Sequence, residues 1–283
     1  MSRELRRNRI RGRYNYVRAD AISAERRHKA STQLKKIKDQ LEEKILEGLY
    51  SLWSPEQISG RLKKEGIFVS HEAIYQYAKK NGLQKNLRHG GKKYKRKNTA
   101  KAGVSCIPNR TDISERPKIV EEKGRIGDWE GDTVISHGSH CALLTLVDRH
   151  SKYTIIRKVG RKTSENLSTA IINSLKKEGL PIHTITFDNG SEFAEHQRIS
   201  KKLKTNIYFA RPYKSSDRGL NEHTNGLIRQ FLPKKFDFKD VSDRNIKIIQ
   251  NFLNSRPRKV LNFLAPVELI LDLKNTTAVA FHS

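Results

Sequence analysis

Three acidic residues carry the chemistry that this sequence could perform. Asp188 follows an apolar, β-branched run and precedes an Asn-Gly pair, a pattern that predicts the exposed C-terminal tip of a strand. Asp132 opens another β-branched run, so we expect it at the start of a strand. Glu222 precedes apolar residues that recur at helical spacing. The sequence therefore predicts two carboxylates on strands and one on a helix.

Carboxylates that converge from three such elements would form a site for hard divalent cations, whereas an arbitrary trio of surface acids is ordinarily just solvated. Two carboxylates about 4 Å apart repel by roughly 4 kcal/mol at an effective dielectric of about 20, so a bound cation is needed. Oxygen ligands favour Mg²⁺ or Mn²⁺ over zinc, and two ions can activate the attacking oxygen and stabilise the leaving one at phosphorus. Asp132 and Asp188 would be shared ligands, and Glu222 would complete the second ion's ligand set.

The composition indicates a polyanionic partner. The 283 residues include 57 Lys and Arg against 30 Asp and Glu, a formal charge of +27, which favours nucleic acid. Ribosomal proteins share such a charge, but they are usually shorter and need no spaced carboxylates among strands. No apolar stretch approaches the roughly 20 residues of a membrane span, and the basic start lacks the apolar part of a signal peptide. Two cysteines indicate a reducing compartment, so we expect a cytoplasmic, nucleoid-associated protein with no membrane contact.

Four phrases surround these acids and extend beyond them. They are GDWEGDT at 127–133, FDNGSEF at 187–193, RGLNEHTNG at 218–226 and NSRPR at 254–258. In these phrases the chain resembles the Asp-Asp-Glu transposases and integrases, and most closely the insertion sequence 30 family. The resemblance implies a transposase that binds the terminal inverted repeats of its own element, cuts phosphodiester bonds and joins the freed 3′ ends to target DNA. It also implies a homo-oligomer on double-stranded DNA.

The region around the acids predicts a mixed α/β sheet. Strands are expected at 132–136, 141–148, 153–159, just before Asp188, and at 206–210. Helices are expected at 164–177, 194–203, 241–253 and 266–273. Strands followed by alternating helices and strands are typical of an α/β fold. The family resemblance implies that this is an RNase H-like mixed sheet flanked by helices and preceded by an all-α helix-turn-helix DNA-binding region.

Two short helices with strong capping signals precede the catalytic region. Ser54 begins a capping box ahead of Pro55, and Gly66 ends that helix. Ser70 caps a second helix that continues to about Lys80. Two short helices joined by a tight turn are typical of a helix-turn-helix whose second helix reads DNA, and a purely structural hairpin is the alternative.

The residues before these helices are basic and less regular. Met1 to Asn8 resemble the last part of the recognition helix in the family's first helix-turn-helix, and an unrelated basic arm is the alternative. Residues up to about Arg27 are expected to be a phosphate-binding or disordered arm, followed by an amphipathic helix at 31–50. We divide the chain into a basic arm at 1–30, a helical DNA-binding region at 31–83, a basic linker at 84–115, the catalytic core at 116–240 and a C-terminal helical extension at 241–283.

Candidate DNA contacts lie in four parts of the chain. The second capped helix has a polar outward face, and the charged residues of the linker up to position 111 are all positive. The helix that carries Glu222 places further polar and basic residues on the same face as Glu222. A basic surface turn is expected near the C-terminus. A turn without DNA contact explains the last feature equally well. The candidates are His71, Gln76 and Lys79 on the helix, Lys92, Lys93, Lys95, Arg96 and Lys97 in the linker, Arg218, Asn225 and Arg229 around Glu222, and Arg256 and Arg258 in the turn.

The sequence departs from the family pattern at several positions, so two other functions are considered. Ser216 and His223 stand where the family commonly has an aromatic residue and an Asn, and the resemblance of Met1 to Asn8 implies that the preceding helices of the first helix-turn-helix are missing. An N-terminally truncated, non-catalytic DNA-binding regulator of transposition is therefore the alternative to an active transposase. An RNase H-like nuclease without strand transfer is a weaker third hypothesis. The intact acids Asp132, Asp188 and Glu222 favour the transposase.

Overall fold

The structure is a computed structural model of the chain that describes residues 5, 8–10, 13–33, 40–88, 90, 107–211 and 219–280. The chain divides into two units, Met1–Lys93 and Tyr94–Ser283. In the ranges given above, no helix combines the length and the apolar character that crossing a bilayer requires.

The N-terminal unit begins with secondary structure where the sequence predicted an arm. Strands β1 (Arg9–Ile10) and β2 (Arg13–Tyr14) pair antiparallel, and helix α1 (Tyr16–Gln33) follows them. The Asn15 side chain begins α1 because its oxygen accepts the backbone N–H groups two and three residues on, at 3.0 and 3.2 Å. Over the described residues, the expectation of disorder up to Arg27 is therefore wrong, and phosphate binding by this segment stays a prediction.

Helix α2 (Gln40–Tyr50) is shorter than the helix predicted at 31–50. Residues 31–33 end α1 instead, and residues 34–39 lie outside the described part of the chain. Ile45 and Leu49 of α2 are fully buried, as their spacing predicts. The periodicity thus identified the buried face of the helix but not its start.

Two capped helices complete the N-terminal unit. Helix α3 (Pro55–Lys64) has the predicted capping box, with both reciprocal hydrogen bonds of Ser54 formed. Helix α4 (His71–Lys80) begins at Ser70, whose hydroxyl oxygen accepts a backbone N–H from the first turn at 3.2 Å. The buried core that joins α2, α3 and α4 consists of Ile45, Leu49, Ile58, Leu62, Ile74 and Ala78. The two predicted helices are therefore confirmed.

The second unit is built on a five-stranded mixed sheet with strand order β5-β4-β3-β6-β7. Its strands are β3 (Asp128–Ile135), β4 (Ala142–Asp148), β5 (Thr154–Val159), β6 (Thr184–Phe187) and β7 (Asn206–Phe209). Strands β3, β4 and β5 pair antiparallel through two hairpins, whereas β6 pairs parallel with β3 and with β7. The parallel pairing requires crossover helices, and these lie where the sequence predicted them.

Helices cover both faces of this sheet. They are α5 (Lys118–Glu121), α6 (Ser164–Glu178), α7 (His196–Leu203), α8 (Gly219–Phe231), α9 (Asp243–Ser255) and α10 (Pro266–Ala280). On one face, α6 and α7 pack on a core that includes Trp129 and Phe187. On the other face, α8 and α9 pack on a core that includes Val134 and Leu253. Alternate residues of β3 therefore enter different cores, as the period of two in a strand requires.

Most predicted elements of this unit are confirmed with ends that shift by one or two residues. Helix α10 continues to Ala280, where a shorter helix at 266–273 was predicted. Strand β3 begins at Asp128 rather than at Asp132. The start was missed because its residues are polar, although they are buried in the structure. Asp128 accepts a hydrogen bond from the hydroxyl of Thr184 at 2.8 Å, and Glu130 accepts one from Arg149. Charged residues rarely enter a strand interior unless they have such partners.

Gly131 allows β3 to lie close to a large aromatic side chain from β6. A Cβ on Gly131 would lie 2.3 Å from Cε1 and 2.7 Å from Cδ1 of Phe187. The Phe187 ring is fully buried and stacks on Phe193 with the ring centroids 4.3 Å apart. Because a filled core has no room for this ring to move aside, position 131 is suited only to glycine.

Replacing Gly131 by Ala is expected to destabilise the second unit by about 1–3 kcal/mol, the usual cost of overpacking a core. Urea denaturation followed by circular dichroism measures the change. Gly160→Ala is the matched control, since nothing lies within 4 Å of a Cβ at that position. Equal stability of the two variants would contradict the close contact with Phe187.

Candidate active site

The pairing of β3 with β6 sets Asp132 and Asp188 side by side. The parallel register pairs Glu130 with Thr186, and the same spacing sets Asp188, directly after the last residue of β6, level with Asp132. Neighbouring strands lie about 4.8 Å apart, and residues at equal level on parallel strands point to the same face. Both aspartates are half-buried. The fold therefore brings two of the predicted ligands to one face of the sheet.

Helix α8 is joined to this face by two amide side chains. Asn225 Nδ2 donates to Asp132 Oδ2 at 2.7 Å, and Thr145 Oγ1, opposite Asp132 in the sheet, lies 3.4 Å from Asn225 Oδ1. Asn221 is buried one turn earlier, and its Nδ2 donates to the backbone oxygen of Gly131 at 3.4 Å. Asn225, predicted as a DNA contact, thus orients the Asp132 carboxylate, a role that sequence spacing did not reveal.

Glu222 lies on α8 three residues before Asn225, and it is exposed. Residues three apart on a helix share a face, so Glu222 lies one turn from the contact with Asp132. Within the ranges that the structure describes, no three acidic, histidine or cysteine side chains lie close enough together to hold one metal ion. The register thus sets Asp132 and Asp188 on one face of the sheet, and Glu222 lies on the helix that Asn225 joins to that face.

The groups around Asp188 suit a hard cation. The backbone N–H of Gly190 donates to Asp188 Oδ1 at 3.1 Å. A Cβ on Gly190 would lie 2.4 Å from Glu192 Oε2 and 3.0 Å from Asp188 Oδ1, so carboxylate oxygens of two residues border the same small space. Carboxylate oxygens are the ligands that Mg²⁺ and Mn²⁺ prefer. Asp132 and Asp188 fit the predicted divalent metal by the chemistry of their oxygen donors.

Glu192 is a residue of this site that the sequence interpretation missed. Its Oε1 accepts hydrogen bonds from Thr133 Oγ1 at 2.9 Å and Lys162 Nζ at 2.7 Å, and its side chain is 12% exposed. Burial would raise the pKa of Glu192, but the hydrogen bond and charge of Lys162 and the hydroxyl of Thr133 together hold that pKa below its usual range. Since Thr133 follows Asp132 on β3, Glu192 ties the turn after Asp188 to that strand. Its one sequence signal was its place in the phrase FDNGSEF.

Arg229, the predicted phosphate contact on α8, has contacts within the protein. Its Nη2 donates to the backbone oxygen of Ile135 at 2.7 Å, and its guanidinium carbon lies 5.2 Å from the centre of the Phe238 ring. Burial lowers the pKa of this guanidinium. The side chain therefore joins the end of α8 to the end of β3, and a phosphate contact for it stays a prediction.

The prediction of a basic surface turn at 254–258 is wrong. Arg256 and Arg258 are only 2% and 8% exposed. Arg258 Nη2 donates to the backbone oxygen of Leu253 at 3.1 Å, and its backbone N–H donates to the oxygen of Leu264 at 3.0 Å. A guanidinium can be buried when carbonyl oxygens accept its protons, which composition alone does not reveal. Neither arginine has the exposed position that a contact with target DNA was expected to use.

The candidate contacts on α4 have the predicted exposure. His71, Gln76 and Lys79 are exposed, and Gln76 Nε2 donates to Glu72 Oε1 at 2.8 Å along the same helix. The other candidates, Lys92, Lys93, Lys95, Arg96, Lys97 and Arg218, lie outside the described residues. Contacts of both groups with DNA stay predictions.

Comparison with known proteins relates this arrangement to a family. The family model described as the integrase core domain matches residues 123–215. The chain is 44% identical over 266 residues to the transposase for insertion sequence element IS4351 of Bacteroides fragilis, covering 92% of this chain and 82% of that protein. It is 36% identical over 301 residues to the transposase InsI for insertion sequence element IS30C of Escherichia coli (strain K12), covering 95% of this chain and 74% of that protein.

Among solved structures, the catalytic core domain of BIV integrase is similar with a TM-score of 0.42 and 17% identity, covering 53% of this chain and 97% of that chain. The integrase core match, together with the mixed five-stranded sheet and its flanking helices, confirms the predicted RNase H-like α/β fold. An integrase core also implies dependence on a divalent metal ion, in agreement with the carboxylate donors. At these identities and over most of its length, the chain belongs to the insertion sequence 30 family of transposases.

Proposed function

We propose that this protein cleaves DNA at the ends of its insertion sequence and joins the freed 3′ ends to target DNA. The observation that carries the proposal is the parallel pairing of Glu130 with Thr186, because Asp132 and Asp188 each lie two residues further along and so fall at equal level. These two residues would hold two Mg²⁺ or Mn²⁺ ions between them, and Glu222 would complete the second ion's ligand set. When bound, such ions activate an attacking oxygen and stabilise a leaving oxygen at phosphorus.

The protein's own side chains prepare this site. Asn225 donates to Asp132 Oδ2, so the carboxylate has a fixed orientation. In the turn after β6, the N–H of Gly190 orients Asp188 in the same way. Glu192 holds the turn that carries Asp188 against β3 through its contact with Thr133. Ligands held by a supporting layer of hydrogen bonds need less rearrangement when they bind.

Glu222 would be the third ligand, and its side chain is exposed on α8. Three carboxylates without a cation repel by roughly 4 kcal/mol per pair at about 4 Å and an effective dielectric of about 20. This repulsion is a physical reason for the exposed position of Glu222 while Asn225 contacts Asp132. We propose that binding of metal and DNA draws the first turn of α8 toward the strands.

Double-stranded DNA is the partner that this function requires, both as element ends and as target. The formal charge of +27 suits such a polyanion. Helix α4 would read the terminal inverted repeats through His71, Gln76 and Lys79. Processing two ends of one element calls for at least two active sites, so we propose a homo-oligomer assembled on DNA. The protein would act in the bacterial cytosol, at the nucleoid.

Replacing Asp188 by Asn is expected to abolish cleavage and joining while leaving DNA binding intact, because the amide removes a charge that the ions require. Labelled duplexes that carry the element's own ends, incubated with Mg²⁺ or Mn²⁺, measure cleavage and joining, and a gel-shift assay measures binding. Asp272→Asn, an exposed carboxylate on α10, is the matched control and should keep full activity. Binding without cleavage by the unaltered protein would instead support the non-catalytic regulator.

Replacing Glu192 by Gln is expected to lower metal affinity or activity by about 10–100-fold, the usual effect of removing a group that supports metal ligands. The measurement is the Mg²⁺ concentration that gives half-maximal cleavage, which should rise. Glu195→Gln, an exposed residue at the start of α7, should leave it unchanged. A loss of thermal stability with an unchanged metal dependence would show that Glu192 only supports the fold.

Two substitutions on α4 test how this helix meets DNA. Gln76→Ala is expected to reduce discrimination between the element's end and unrelated DNA by about 1–3 kcal/mol, as loss of a base contact does. Lys79→Ala should weaken both complexes equally and lower the salt slope by about 1, as loss of a phosphate contact does. Fluorescence anisotropy at several salt concentrations separates the two effects. If neither variant changes binding, α3 and α4 form the purely structural hairpin.

A further inference from the structure

A cavity of about 650 Å³ opens beside the catalytic face of the sheet. Its lining includes Glu130 of β3 and His223 and Thr224 of α8. Glu130 lies two residues before Asp132 on the same face, a separation of about 7 Å along the strand. His223 directly follows Glu222. The cavity is therefore bordered by the two elements that carry Asp132 and Glu222, and nothing in the proposed reaction uses it.

The walls of this cavity are strongly cationic. Of the described residues that line it, seven are Lys or Arg and two are Glu. Lys152 is partly buried there, and burial, followed by repulsion from Lys123, lowers its pKa to about 8. An anion placed among these side chains would relieve that repulsion. The cavity thus has the charge of an anion-binding site.

One carboxylate oxygen of Glu130, a residue of the cavity wall, has no hydrogen-bond partner in the described structure. Glu130 is 2% exposed, and its Oε1 accepts from Arg149, but its Oε2 has no hydrogen-bond partner within the described structure. A buried acceptor that lacks a donor destabilises the folded protein. A ligand that combines a negative group with a hydrogen-bond donor would match the cationic wall and, with the Glu130 carboxylate turned toward the cavity, this acceptor as well.

The remaining lining favours a ligand with a flat apolar surface. Ile113, Leu220 and Val260 line the cavity together with the charged groups. Pockets of about 300–1,000 Å³ hold ligands of small-molecule size, so the volume suits one nucleotide rather than a bare phosphate. A nucleotide offers a phosphate, N–H donors on the base and a flat ring that packs on aliphatic side chains.

We infer that this cavity binds a single unpaired nucleotide of a DNA strand. Its phosphate would lie near Lys152 and Lys123, and its base would pack against Ile113 and Leu220. The Glu130 carboxylate would turn so that Oε2 accepts a base N–H. The assignment of the nucleotide to DNA rests on the proposed function, whereas binding of a nucleotide as such does not. The cavity would then hold the strand beside the carboxylates while the phosphodiester bond is cut.

Calorimetric titration of the full chain in EDTA tests this site without any catalysis. The probes are dCMP, dTMP, deoxyribose 5-phosphate and inorganic phosphate. Both nucleotides should bind about tenfold or more tightly than deoxyribose 5-phosphate, because contact with one base has that effect. Equal affinity for all four probes, or no binding of any, would overturn the inference.

Substitutions locate the binding within the cavity. Lys152→Met should weaken nucleotide binding by about tenfold, as loss of a charge-assisted contact does. Lys123→Met gives a second test at an exposed position, and thermal unfolding checks that each variant folds. Lys176→Met on α6, an exposed lysine outside the cavity, is the matched control and should bind normally. Unchanged affinity in both cavity variants would place the nucleotide elsewhere.

Competition distinguishes free nucleotide from DNA. A duplex with one unpaired terminal nucleotide should displace dCMP at lower concentration than a blunt duplex of the same length. If the two duplexes compete equally, the cavity takes free nucleotides and the assignment to DNA is wrong. Because metal is absent throughout, nucleotide binding by a protein that never cleaves DNA would refute the proposed function and leave this site standing.

Discussion

The parallel pairing of β3 with β6 extends over only three residue pairs, yet it decides the level at which Asp132 and Asp188 meet. Contacts outside the ladder stabilise so short a pairing. The hydroxyl of Thr184 donates to Asp128 at 2.8 Å, and Phe187 fills the space that Gly131 leaves open. A slip of one residue would turn Asp188 to the opposite face of the sheet. The chemistry therefore depends on a register that is held by side chains without any catalytic role.

Buried charged side chains are concentrated on the catalytic face, near the N-terminal end of β3. Arg149 donates to Glu130, and Arg116 donates both to Glu121 and, at 2.9 Å, to Thr186 Oγ1. Burial raises the pKa of Glu130, while Arg149 and Arg116 act in the opposite direction. Buried ion pairs are seldom more stabilising than apolar side chains of the same size. Their presence next to the aspartates agrees better with binding a charged partner than with stabilising the fold.

Features that depend on residues close together in the sequence were predicted well, whereas features that depend on residues far apart in the chain were missed. The caps at Ser54 and Ser70 were found because a cap and its first turn lie within a few residues of each other. The start of β3 was missed because Glu130 is acceptable in a strand only with Arg149, which lies 19 residues away. The turn signal after Asp188 predicted its place at the end of a strand, whereas Asp132 was expected at a strand start and lies inside β3. The contact of Glu192 with Thr133 could not be predicted, because it depends on the register between strands, which no spacing in the sequence reveals.

The strands of the sheet are linked by two kinds of connection, hairpins and long crossovers, which are translated at different stages of synthesis. Strands β3, β4 and β5 are linked by hairpins, whereas β6 meets β3 across 56 residues of chain, between Asp128 and Thr184. Hairpin contacts close early and long-range pairings close late, and domains fold as the chain emerges from the ribosome. The residues of β3, β4 and β5 are therefore all translated before Asp188 and α8. A chain that ended before Thr184 would contain Asp132 but neither Asp188 nor Glu222, so the three acids are present together only after most of the chain has been translated.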